Sequence, residues 1–370
     1  MNNQISTSLN AAAPVKRDDA PAPEMRMVRA INQALSDAMT ADPRVVVLGE
    51  DIGLAGGPFN VTRGLQERFP DRVIDTPISE AAITGAALGA ALSGLKPVVE
   101  IMFMDFVTLA MDQLVNQAAK AHFMFGGQAS APMVLRTPHG GGQSAGPQHS
   151  QCLEAWLTHV PGLKVVCPAT PADAYGLLRA AIDDPNPVVF IEHKALYGIK
   201  GPMTEPYPVV PIGKARIARA GRDATVITYG AMLYRVLEAA QTLALAGIEV
   251  EVIDLRSLQP WDKQTVLESI SRTHRAVIAH EAVMSFGVGA EIAATIAHEG
   301  FDDLDGPVVR VGAAFMPSPF APGLESRFMP NAGSVERAVR EVMGLSPTSA
   351  TSATSPTSAI SGQQGTTDHA

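Results

Sequence analysis

Asp75-Thr-Pro-Ile-Ser-Glu-Ala-Ala-Ile-Thr-Gly-Ala-Ala-Leu-Gly-Ala-Ala-Leu-Ser-Gly94 is the stretch around which the rest of the chain is organised. Thr76 precedes Pro77 and is biased out of the helical region, and Ser79 offers a hydroxyl that can cap a helix. From Glu80 to Leu92 the residues are almost all Ala, Gly, Ile, Leu and Thr. A helix with so few long polar side chains is apolar nearly all round and is expected to be buried. Its small residues let other backbones or a flat ligand approach closely. The only ionisable group between Asp75 and Lys96 is Glu80, in the first turn.

Two effects compete at Glu80. The helix N-terminus favours the anion by roughly 0.3–1 kcal/mol, whereas desolvation can raise a buried carboxyl's pKa by about 3–5. In a dry site desolvation wins, and Glu80 becomes a neutral acid able to donate a hydrogen bond to a ring nitrogen. At a wet helix start it is an ordinary acid favouring the dipole, and the pattern alone leaves both open.

The composition sets bounds. A chain of 370 residues, 46% of them hydrophobic, suffices for two ordinary domains, and a net charge of −9 gives no basic footprint for nucleic acid. Two cysteines, Cys152 and Cys167, make neither a disulfide framework nor a metal set and fit a reducing compartment. No apolar run approaches the ~18–20 residues of a membrane span, and the N-terminus lacks the apolar core of a signal peptide, so a cytoplasmic location is expected.

Helical and extended patterns alternate along the chain. A helix near 26–40 leads to the strand Val45–Glu50 and a Gly-rich loop, and the small-residue helix leads to the strand Pro97–Ile101. A helix near 105–121, a strand at Ala131–Thr137, a long Gly-rich loop, the strand near Val165, the helix Pro171–Asp183 and the strand Pro187–His193 follow. Continuous Val/Ile/Leu runs separated by helices mark a mostly parallel sheet covered on both faces. The alternation lapses in a Pro/Gly-rich connection and resumes from Ala224 as a smaller α/β unit. The expected organisation is therefore α/β with two domains, each a mostly parallel sheet flanked by helices: a tail at 1–24, a first domain at 25–200, a linker at 201–222, a second domain at 223–345, and a Ser/Thr/Pro-rich tail at 346–370. Both tails read as disordered.

Several residues could carry chemistry. The loop Thr137–Gln151 (TPHGGGQSAGPQHSQ) is long enough to be functional, and His149, which ends it at an expected helix start, is a candidate general acid/base or electrostatic stabiliser, the alternative being a solvated loop histidine. Gly142–Gly146 spells G-x-S-x-G, but no strand directly precedes it and Pro147 follows, so a Ser144 hydrolase lacks its strand–turn–helix context. Glu50 lies at a strand's C-terminal end, where ligands bind in open parallel sheets. Glu100 sits inside an apolar strand and needs a partner, either a structural ion pair or a relay. Phe106 could stack on a flat ring or serve as core. The glycines at 53, 56 and 57 miss the dinucleotide spacing, which argues against a nicotinamide enzyme.

GED (49–51), VTRGL (61–65), DTPISEAAITGAALGAAL, EIMFMDF (100–106), AMDQLVNQAAK (110–120), GPQHSQ (146–151), PGLKVVCPATPADA (161–174) and EHKALYG (192–198) occur together and in order. In this the chain resembles the β subunit of the thiamine-diphosphate-dependent first component of 2-oxo acid dehydrogenase complexes, over roughly residues 26–344. The resemblance implies a transketolase-like pyrimidine-binding domain followed by a transketolase C-terminal-like domain. It implies that Glu80 hydrogen-bonds the cofactor's aminopyrimidine, that Phe106 stacks on it beside Glu50, and that His149 assists acyl transfer to lipoyl. It also implies a structural potassium held by Met133, Ala181, Ile182, Asp184 and Asn186.

The G-D-G segment that grips the diphosphate and its metal in such enzymes is absent from this sequence. The resemblance therefore places that half of the cofactor on an α subunit, in an α2β2 assembly working with a lipoyl-bearing acyltransferase core. RTP, GGQ and EHKALYG lean towards pyruvate or acetoin as substrate, with branched-chain 2-oxo acids as the alternative. A scaffold subunit without chemistry is the contrasting reading, disfavoured by the intact Glu80, Phe106 and His149. Ala314 and Phe315 depart from the family pattern, which often has an acid there.

Overall fold

The computed structural model describes residues 23–346; the tail assignments fall almost wholly outside them. In chain order the elements are β1 (Glu24–Arg26), α1 (Met27–Ala41), β2 (Val45–Gly49), α2 (Leu65–Arg68), β3 (Val73–Asp75), α3 (Glu80–Leu92), β4 (Lys96–Glu100), α4 (Ala119–Met124), β5 (Val134–His139), α5 (Glu154–Thr158), β6 (Lys164–Val166), α6 (Pro171–Asp183) and β7 (Val188–His193). There follow β8 (Lys200–Pro202), β9 (Arg216–Arg219), β10 (Ala224–Thr228), α7 (Met232–Leu245), β11 (Val250–Asp254), β12 (Ser257–Gln259), α8 (Lys263–Thr273), β13 (Ala276–Val283), α9 (Val288–Glu299), β14 (Val309–Ala313), α10 (Pro322–Phe328) and α11 (Ala332–Val342).

The first sheet has seven strands in the order β12-β6-β7-β5-β4-β2-β3, parallel except for β12. The second has five, β14-β13-β10-β11-β9, with only β9 antiparallel. Central strands such as β2, β5, β7, β10 and β11 are buried along their whole length. That is the all-apolar run of a sheet with helices on both faces. The domain boundary is not clean: β12 belongs to the second half of the sequence but extends the first sheet by pairing with β6.

Local chemistry sets the helix starts. Thr170 accepts the Asp173 N–H at 3.2 Å ahead of Pro171 in α6, Asp262 caps α8, and Asn331 and Ser334 form a reciprocal capping box on α11. Two local expectations fail. Ser79 makes no side-chain capping bond to α3. The helix expected at 105–121 is instead a 3₁₀ stretch at Met104–Ala110, a π-helical stretch at Asp112–Ala118 and then α4.

Contrary to its expected burial, α3 is not enclosed within this chain. Ile83, Thr84, Ala87 and Ala91 face the core, while Ala82, Ala86, Gly89 and Leu92 are exposed. The helix is apolar all round, yet this chain supplies neighbours for one side only. Two residues ahead of the helix, Ile78 is 81% exposed.

Candidate active site

The candidate residues gather at the C-terminal ends of β2, β4, β5 and β7, the end where open parallel sheets bind ligands. Glu50 follows β2 directly, and Glu80 opens α3; each is only 8% exposed. Burial raises the Glu50 pKa, and the neighbouring charges of Glu80 and then Asp51 raise it further. The two carboxylates therefore form an interacting pair. The turn after Glu50 is set by Asp51 in the left-handed region, φ 51°, and by the Asp75 carboxylate, which accepts the Gly53 N–H at 2.7 Å.

Beneath the pair lies a fully buried ion network. Arg136 on β5 donates to both oxygens of Glu192 at 2.6 and 2.8 Å and to Glu100 at 2.6 Å, and the Tyr197 hydroxyl donates to Glu192 at 2.6 Å. Burial disfavours the guanidinium charge, but Glu192 and Glu100 outweigh that and hold it protonated. The open question about Glu100 is thus answered by geometry as an ion pair. Glycine is required above it, because a Cβ on Gly57 would stand 2.9 Å from the Glu100 Oε1.

Phe106 and His149 meet at 5.4 Å between ring centroids, edge-on at 89°. Phe103, which sequence reasoning missed, packs against His149 at 4.9 Å and against Phe106 at 6.2 Å. Its signal was present, since Phe103 and Phe106 both follow the Glu100 strand. Lys194 donates to the backbone carbonyl of His149, and Asp105 accepts the N–H of Gln151 at 3.3 Å and its side-chain amide at 2.8 Å. His149 lies in a turn and not at a helix start, because α5 begins only at Glu154.

Among the described residues Ser144 has no histidine partner. Its hydroxyl faces Glu325 at 3.3 Å, and neither a strand directly before nor a helix directly after it makes the turn a nucleophile elbow, since β5 ends at His139 and α5 begins at Glu154. A second buried cluster joins the domains: Glu154 accepts from Tyr229 at 2.8 Å and lies 3.7 Å from the His139 Nδ1, with Cys152 close by. Burial pushes the Cys152 thiol well up, and nearby carboxylates add to this, so it is a neutral thiol and not a ready metal ligand.

The residues implied for potassium sit elsewhere, at the opposite, N-terminal edge of the first sheet. Met133 immediately precedes β5, and Asp184 and Asn186 lie in the short turn between α6 and β7. The Met133 carbonyl accepts from Val188 at 3.0 Å, that of Ala181 accepts from Asp184 at 3.3 Å, and the Asp184 carboxylate is paired with Lys164.

Two parallel-sheet domains, with a buried carboxylate opening a small-residue helix at the strand ends, define a transketolase-like α/β protein. The model for "Transketolase, pyrimidine binding domain" matches residues 23–200 and that for "Transketolase, C-terminal domain" matches residues 213–335. Among solved structures, a split-gene transketolase described as an inactive beta4 tetramer matches with a TM-score of 0.72 and 25% identity, over 86% of this chain and 98% of that one.

Curated relatives narrow the class. The beta subunit of acetoin:2,6-dichlorophenolindophenol oxidoreductase from Cupriavidus necator is 47% identical, over 85% of this chain and 96% of its own. Subunit beta-2 of the pyruvate dehydrogenase E1 component from rice, a mitochondrial protein, is 44% identical over 89% of each chain. The 2-oxoisovalerate dehydrogenase beta subunit of Bacillus subtilis is 43% identical, over 86% of this chain and 98% of its own. This chain belongs to the family of β subunits shared by the pyruvate, 2-oxoisovalerate and acetoin enzymes. Among the described residues no helix is long and apolar enough to cross a membrane.

Proposed function

We propose that this chain is the β subunit of a thiamine-diphosphate-dependent 2-oxo acid dehydrogenase of the pyruvate type, contributing the pyrimidine side of the cofactor site. The observation that carries this reading is Glu80: a carboxylate 8% exposed in the first turn of α3, paired with Glu50 at the strand ends. The donor set suits an aminopyrimidine, with carboxylates for its ring nitrogen and amino group and the aromatic pair Phe103–Phe106 alongside. When bound, thiamine diphosphate supplies an electron sink at its thiazolium carbon. Glu80 would engage the pyrimidine ring, Glu50 would hold its proton to higher pH than a free carboxyl, and His149 would face the reacting centre and assist acyl transfer to lipoyl. The raised Glu50 pKa supports this role, because burial and then the nearby Glu80 and Asp51 charges disfavour its ionised form.

An α subunit would supply the diphosphate and metal contacts in an α2β2 assembly, and a lipoyl-bearing acyltransferase would accept the acyl group. The open apolar face of α3 supports such a partner, since exposed apolar patches of this kind mark interaction sites. A potassium ion between Met133, Ala181, Ile182, Asp184 and Asn186 would rely on carbonyl oxygens, because Lys164 already neutralises the Asp184 carboxylate. Acetoin as the substrate is the second reading, favoured by the 47% identity to the Cupriavidus necator protein.

The test is Glu80→Gln, co-purified with its α subunit. Assembly should survive while 2-oxo acid-dependent turnover falls by at least a hundredfold; turnover within a few-fold of the parent would reject the assignment.

A further inference from the structure

The loop that carries His149 is held from the far side of the molecule. Gly141 donates its N–H to the Glu281 carboxylate on β13 at 2.6 Å, and Gly142 and Ser144 donate theirs to the two oxygens of Glu325 on α10, each at 2.9 Å. The Ser144 hydroxyl also faces Glu325 at 3.3 Å. Gly142 and Ser144 both have left-handed backbones, with φ of 87° and 54°, which turns their N–H groups to one side as an anion-binding nest. The anion in that nest is the protein's own carboxylate, which is 4% exposed.

Packing closes the same contact. A Cβ on Gly146 would stand 2.4 Å from the Phe320 ring, just before α10, so the loop backbone lies directly against the second domain. Charge balance comes from Lys194, which donates to the His149 carbonyl. Burial lowers its pKa, opposed by Asp105, Cys152, Glu281 and Glu325 in that order.

From these contacts we infer that Glu325, with Glu281, is a positioning residue: the C-terminal domain fixes the loop conformation that presents His149. Glu325 acts through the backbone of residues 142–144 and touches no reacting atom. The inference rests on the proposed role of His149 for its catalytic half only. The backbone half stands independently, because a carboxylate can accept two N–H groups that an amide, with one oxygen and one NH2, cannot both satisfy.

Hydrogen exchange by mass spectrometry on the full chain, with turnover measured in the complex with the α subunit, tests both halves. In Glu325→Gln, exchange in the 139–148 segment should rise at least tenfold while the segments of α3 and β13 exchange as in the parent. Glu325→Asp, which keeps both oxygens, should recover most of the protection. Turnover of Glu325→Gln should fall about tenfold in kcat with KM for the 2-oxo acid within twofold, and Glu325→Asp should restore it. His149→Gln should lose turnover with exchange unchanged. Loop exchange within twofold of the parent in both Glu325 variants overturns the inference, as does raised exchange with unchanged kcat when His149→Gln is inactive. If His149→Gln is itself active, the proposed role of His149 fails, and loop exchange alone decides whether Glu325 positions the loop.

Discussion

Replacing Arg136 with Met tests the reasoning about the sheet most directly. The guanidinium is 1% exposed and makes three hydrogen bonds of 2.6–2.8 Å to two carboxylates that are 5% exposed or less. Removing it leaves Glu100 and Glu192 buried without their cation, which costs about 3–5 kcal/mol. For a domain of this size that corresponds to a fall of roughly 6–20 °C in the midpoint of thermal unfolding.

The deficit should depend on pH in a definite direction. Burial already raises the Glu100 pKa, and Arg136 is the first group opposing it; without Arg136 the Glu100 carboxyl should take up a proton in the folded state. A carboxyl protonated only when folded loses about 1.4 kcal/mol of stability for each pH unit above its unfolded pKa. Lowering the pH from 7 to 6 should therefore recover up to ~1.4 kcal/mol of the variant's deficit. Thermal unfolding followed by circular dichroism at pH 6 and 7 measures this. A midpoint within 2 °C of the parent at pH 7, or a deficit identical at both pH values, would refute the account of the network.

Two further expectations follow from other parts of the molecule. Burial, and then the Asp173 charge, raise Asp254 to about 6 against the attraction of Arg216. Because its folded pKa lies above the unfolded one, the parent should lose about 3 kcal/mol of stability as pH rises from near 4 to 6. Asp254→Asn should lack that dependence, as denaturant titrations across the window would show, and an unchanged slope would defeat the argument. Thr170→Ala removes the hydroxyl that accepts the Asp173 N–H and donates to its carboxylate at 2.6 Å. It should cost about 1 kcal/mol in urea unfolding, and no measurable loss would mean that Pro171 alone sets the start of α6.

The sequence by itself determined the main α/β alternation, because continuous Val/Ile runs alternating with helical periods leave a covered parallel sheet as the way to bury them; short edge strands such as β9 and β12 and the irregular turns at 104–118 carry no such pattern. It also marked as candidates Glu80 and His149, whose residue types stand out against small-residue or glycine-rich surroundings, and Phe106, which follows the Glu100 strand. Only the tertiary structure decided what those residues touch. That Arg136 answers Glu100 depends on register between neighbouring strands, and that α3 has one open face depends on what this chain fails to cover. The hold of Glu325 on Gly142 joins residues 183 positions apart in the chain. Local propensity carries no information across such a separation: the contact exists because the packing of the two sheets brings a loop of one domain against a helix of the other, and a backbone N–H looks the same in every sequence.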